Sequence, residues 1–313
     1  ETLKIIIEEA KKVNPNVIII AEPWGGGYMP EKFSELGWAS WNDKFRNAVK
    51  GQNSKDRPGF IFGRYDENVD KENISKFFTG TLLEDKGTFQ EISHAVNYLE
   101  SHDDNTFGDF IRLALGKNTE QDIIDDIDKH ASLTPVELSL NKLGAFILAT
   151  SQGVMMIHSG QEYARSKVIF GGGYQDDHVG RIDHNSYNKD DSTNYINYKH
   201  VKQNSLLVNY YSSLIKMRQA LPELRMAERE FCVPVFAENI EFGVGYKIKA
   251  HKNLRNTYVL YNASPDETAF FKLDENYYDI YADEAKASGE PIESGIFGQI
   301  TLPPRSGLLL IKH

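Results

Sequence analysis

Residues 17–24, VIIIAEPW, follow an opening segment, ETLKIIIEEAKKV (residues 1–13), that puts Leu3, Ile6, Ile7 and Ala10 on one helical face. Asn14-Pro15-Asn16 closes that helix, and the β-branched run after it predicts a short, fully buried strand. Helix followed by buried strand is the rhythm of a parallel sheet with helical crossovers. What leaves the end of the strand is a carboxylate, a proline and an indole: Glu22, Pro23 and Trp24.

The rhythm recurs along the chain. LGWASWND (36–43) predicts a second strand with a helix around NISKFFTG. AVNYLES (95–101) predicts a third, with helices from Thr106 and from Pro135 to Thr150. GVMMIHSG (153–160) predicts a fourth, before a helix from Val201 to Ala220 in which Leu207, Tyr210, Tyr211, Leu214 and Met217 recur at helical spacing. After Leu221-Pro222 the texture changes to short alternating runs, VGYKIKA, TYVLYNA, ETAFFKL, GQITL and SGLLLIK, broken by Asn, Asp, Pro and Gly. Such runs predict an antiparallel sandwich. Residues 1–221 are therefore expected to form an α/β unit and residues 222–313 an all-β domain.

Bulk properties narrow the function. With 313 residues, 40% hydrophobic and 26% charged, the chain can build a sizeable core. A net charge of -10 without a long basic block argues against nucleic acid as a partner. No apolar run approaches the roughly 18 residues of a membrane span, so no membrane partner is expected. The single cysteine, Cys232, excludes an internal disulfide framework and is expected to be a buried strand residue. The chain lacks an initiator Met and opens inside an apparent helix, so sequence is expected before Glu1 and compartment is left open.

In parallel α/β sheets, ligands gather beyond the carboxyl ends of the strands. Those ends deliver Glu22 and Trp24, then Asn42 and Asp43, then His102 and Asp103, then His158 and Gln161. Any one of these could be a capping or turn residue; together they suggest a site. Two carboxylates beside an aromatic ring suit glycoside chemistry, in which a protonated acid assists the leaving oxygen and a second carboxylate stabilises an oxocarbenium-like centre. Glu22 is the better acid, because the apolar residues leading to it are expected to desolvate it and keep it protonated. Other groupings fail. Ser101-His102-Asp103 cannot form a hydrolase triad, since neighbours on a strand point to opposite faces. His178, Asp183 and His184 would have to converge on a metal from an irregular loop. The two Gly-rich runs, at 25–27 and 171–173, lack phosphate-binding spacing.

At these residues the chain resembles glycoside hydrolase family 13, the α-amylase family, and within it the pullulanase and glycogen-debranching type. AEPW resembles the region whose strand-end Glu is the acid/base. YLESHDDNT resembles the region whose His and Asp bind the sugar in subsite -1. WNDKFRNAVKG and MIHSGQEYARSK resemble segments around the sixth and eighth barrel strands, and NSYN followed by TNYINY resembles a substrate-lining loop. The resemblance implies Glu22 and Asp103 as catalytic residues and His102, Trp24, Asn42 and Tyr187 as substrate-binding ones. It also implies an α-glucan oligosaccharide or polysaccharide as partner. No cofactor is implied; calcium occurs in the family, but nothing in this chain indicates it.

Asp104-Asn105 stands where pullulanases commonly have Asn-His, and Pro23 where many have Gly. The family's first region and its Arg-x-Asp region, source of the nucleophile, match nothing here. The expected fold is thus the second half, strands five to eight, of a (β/α)₈ TIM barrel followed by a C-terminal antiparallel β-sandwich, with the N-terminal half of the barrel missing. The expected activity is retaining hydrolysis of α-1,6 bonds. The alternatives are α-1,4 hydrolysis or branching by transfer at the same site, and a non-catalytic glucan-binding fragment.

Overall fold

The computed structural model describes residues 1–24, 26–52, 57–66, 69–170 and 178–313. Gly25 and the run 171–173 lie outside them, so the two Gly-rich segments are only partly in view.

Four short strands, β1 (Ile20–Ala21), β2 (Ala39–Trp41), β3 (Ala95–Asn97) and β4 (Val154–Met155), form a parallel sheet in chain order. Register is set by Ile20 opposite Ala39, Ser40 opposite Ala95, and Val96 opposite Val154. Parallel neighbours need long crossovers, and here helices 43–49, 71–78, 107–114 and 135–150 lie within them. The longest, Pro135–Thr150, starts on a capping box: Thr134 accepts the N–H of Glu137, the Glu137 side chain accepts the N–H of Thr134, and Pro135 takes the first turn.

β1 departs from the expected buried strand. Ile18 is 56% and Ile20 42% exposed. Alternate side chains of any strand point to opposite faces, and at the edge of the sheet, where among the described residues β1 pairs with β2 alone, those of Ile18 and Ile20 are left uncovered. On the preceding helix, Thr2–Val13, Ile7 alone is buried, while Leu3, Ile5, Ile6 and Val13 are exposed.

After a short helix, Glu223–Met226, and a 3-10 turn, Arg229–Phe231, the regular elements are all strands. β5 (Cys232–Phe236), β6 (Gly243–Ile248), β7 (Thr257–Asn262), β9 (Tyr278–Ala282), β10 (Glu293–Ile296) and β12 (Ser306–Lys312) build a six-stranded antiparallel sheet ordered β10-β9-β12-β7-β6-β5. β8 (Ala269–Lys272) and β11 (Gln299–Leu302) pair as a second sheet. Every residue of β7 is buried, because the large sheet is covered on both faces. Tyr258 and Leu260 join the core with Phe271 and Leu302 of the small sheet, whereas Val259 and Tyr261 join the core that holds Phe146 and Ile147 of helix 135–150. Cys232 is buried as expected, and burial pushes its thiol up to about 12. Among the described residues no helix is long and apolar enough to cross a membrane.

Candidate functional site

The carboxyl ends of β1, β2 and β3 open onto one cleft of about 380 Å³. Glu22, Trp24, Trp41, Arg46, Tyr98, His102, Asp103 and Asp104 are among its lining residues. Glu22 leaves β1 directly and is exposed, so the desolvation expected from its apolar leader is not provided by the described residues. A strand at the edge of the sheet cannot wall in its own last side chain. Trp24, 48% exposed, leans on Tyr28 with ring centroids 4.9 Å apart. Tyr28 is pinned beneath: its hydroxyl donates to the Trp41 carbonyl at 2.9 Å and accepts the Asp43 N–H at 3.1 Å.

The floor of the cleft is a polar net of which the residue pattern announced Asp43 but not its partners Tyr98 and Arg46. Tyr98 donates to Asp43 Oδ1 at 2.5 Å, and Arg46 donates to the Tyr98 hydroxyl at 2.6 Å and to Asp43 Oδ2 at 3.2 Å. Arg46 also approaches Asp104 at 3.8 Å. One guanidinium thereby links the ends of β2 and β3, using the fork of donors that lysine lacks. Burial, with Asp43 adding to it against the opposing charge of Arg46, raises the Tyr98 phenol well above its ordinary range, so it stays a donor.

On the rim, Nε2 of His102 lies 3.2 Å from Oδ1 of Asp103, and both side chains face solvent. Asp103 bridges in antiparallel fashion to Asn185, which brings the segment after residue 178 against the cleft. Asn185 also lines a neighbouring groove of about 430 Å³ that holds Tyr187, Asp183, His184 and Arg181.

Of the expected site residues, Glu22, Trp24, His102 and Asp103 therefore share the cleft. Tyr187 is 66% exposed in the adjoining groove. Asn42 must be corrected: it is fully buried, its amide donating to Thr81 Oγ1 and Asn97 Oδ1 at 2.8 Å while its oxygen accepts the Phe45 N–H. It caps the helix Asp43–Val49, and every polar atom is used internally. His158 and Gln161 also leave the cleft; His158 pairs with buried Glu100 at 2.9 Å, and Gln161 donates to Tyr211. His178, Asp183 and His184 form no metal-binding group among the described residues.

No family model matches the chain. The pullulanase of Bacillus subtilis (strain 168) is 26% identical over 310 residues, 94% of this chain and 39% of that protein. Pullulanase A of Streptococcus pneumoniae is 31% identical over 179 residues, 51% of this chain and 13% of that protein. Its homologues are pullulanases and isoamylases, the debranching enzymes of glycoside hydrolase family 13. The solved pullulanase from Bacillus acidopullulyticus superimposes with a TM-score of 0.78 over 99% of this chain and 36% of its own, at 24% identity, a likeness of fold. The chain thus spans well under half the length of these pullulanases.

Proposed function

We propose that this chain is the carboxyl-side half of the catalytic barrel, residues 1–221, together with the C-terminal sandwich, residues 222–313, of a retaining α-glucan debranching hydrolase. The observation that carries the reading is the convergence of Glu22, Trp24, His102 and Asp103 on one cleft at the carboxyl ends of parallel strands. The side of β1 that has no strand partner among the described residues, and the exposed Ile5, Ile6, Ile18 and Ile20, support a barrel continued by strands from outside these residues.

Glu22 protonates the glycosidic oxygen as a nucleophilic Asp, supplied from outside residues 1–313, attacks the anomeric carbon. It then takes a proton from the water that releases the glycosyl-enzyme. Asp103 binds the hydroxyls of the same sugar and favours its flattened, oxocarbenium-like shape. His102 holds that sugar as well, and Trp24 offers a stacking face to a neighbouring unit. The exposure of Glu22 is consistent with a carboxyl whose shield is the absent half of the barrel together with the bound glucan.

Product analysis on pullulan tests the reading. The intact polypeptide is expected to release maltotriose from α-1,6 cleavage, and the 313-residue chain alone to release nothing, because retaining hydrolysis needs two carboxyl groups roughly 5 to 5.5 Å apart. Rearranged branches, exclusively α-1,4 products, or hydrolysis by the isolated chain would contradict it.

A further inference from the structure

Lys167 is buried, yet among the described residues no aspartate or glutamate side chain accepts its ammonium. Nζ donates instead to two backbone carbonyls, that of His102 at 3.0 Å and that of Asp104 at 2.8 Å. These are the residues immediately before and after Asp103. We propose that Lys167 is a positioning residue for Asp103, holding the main chain on both sides of that carboxylate so that it meets the sugar in one orientation. The inference rests on the role assigned to Asp103 above.

Two carbonyls separated by one residue converge on a single ammonium only if the chain curls around the residue between them. The curl is visible at Asp104, whose φ of +63° is a left-handed conformation that a side chain disfavours. A charged donor reaching both carbonyls stabilises a turn the sequence would otherwise avoid. It leaves the Asp103 side chain, 46% exposed, free to project into the cleft.

Lys167 is itself fixed. Its N–H donates to Asp109 Oδ2 and its carbonyl accepts the Asp183 N–H, both at 2.8 Å. Asp109 is held in turn by Arg112 at 3.1 Å and His130 at 3.5 Å. Desolvation pulls the Lys167 ammonium below its ordinary range, while the charges of Glu100 and Asp109 oppose it. The segment after β4 thus reaches across a buried network to set the rim at the end of β3.

A double-mutant cycle in the intact enzyme on pullulan tests this, comparing Lys167→Met, Asp103→Asn and the double variant. Lys167→Met is expected to lower kcat on the order of 10- to 100-fold, the scale of an ångström-sized misplacement, with KM within about threefold. In the Asp103→Asn background the same change is expected to cost less than about threefold, because the group it positions is gone. Should Lys167→Met fail to fold, Lys167→Gln, whose amide can still donate, carries the same cycle with a smaller loss. An equal loss in both backgrounds, or none beside a normal loss in Asp103→Asn, overturns the inference alone. An unchanged kcat in Asp103→Asn overturns the reading of Asp103 and the inference with it.

Discussion

Glu100 Oε1 lies 2.9 Å from Nδ1 of His158, and the other oxygen of the same carboxylate accepts the Phe107 N–H at 2.6 Å. One buried side chain therefore ties the end of β3 to the end of β4 and to the start of the helix Phe107–Ala114. Replacing it with an apolar residue leaves a buried N–H and an imidazole unpaired. Glu100→Leu is expected to lower unfolding stability by about 3 kcal/mol, read by urea denaturation; a loss under about 1 kcal/mol would contradict this role.

Lys50 gives the fold a dependence on alkaline pH. It is fully buried with its ammonium 5.2 Å from the centre of the Phe110 ring. Desolvation first, and the charge of Arg46 second, pull it down to about 7 from the ordinary lysine value. The unfolded chain then binds one proton more than the folded one between pH 7 and roughly 10.4, the ordinary lysine value, so this group adds stability as pH rises from 7. Its contribution is least favourable below 7. Lys50→Met should remove that term, making the slope of unfolding free energy between pH 7 and 9 less positive than in the parent. An unchanged slope would contradict it.

The close fit between helix and sandwich is tested at Gly307. A Cβ there would sit 2.1 Å from the Phe146 ring, which is fully buried and packed edge-on against Tyr261. Gly307→Ala should destabilise the protein by about 2 kcal/mol through overpacking, measured by thermal unfolding. A neutral result would mean that β12 and helix 135–150 are not in contact as described.

Much of this architecture is legible in the residue pattern. VIIIAEPW, LGWASWND, AVNYLES and GVMMIHSG mark the four parallel strands in their spatial order, because hydrophobic runs ended by polar residues reflect a buried sheet with a wet edge. VGYKIKA, TYVLYNA and SGLLLIK mark β6, β7 and β12. Cys232, expected on a strand, opens β5, and Pro234 within it is tolerated because β5 is an edge strand. The resemblance points Asn42 at the sugar, but the same asparagine precedes a helix, and the structure uses it as that helix's N-cap. Lys167 and Arg46 fall inside two segments that carry the resemblance, WNDKFRNAVKG and MIHSGQEYARSK, but nothing local singles them out within those segments. A lysine in a loop reads as solvated, and its burial depends on elements distant in sequence.

Leaving-group chemistry isolates the proposed role of Glu22 as the proton donor. Glu22→Gln in the intact enzyme should lose about 10³-fold in kcat on pullulan, within the range for removal of a general acid. It should nevertheless keep a stoichiometric burst of fluoride from α-maltotriosyl fluoride, whose leaving group needs no proton. Loss of both activities to the same degree, or retention of pullulan hydrolysis, would contradict the assignment.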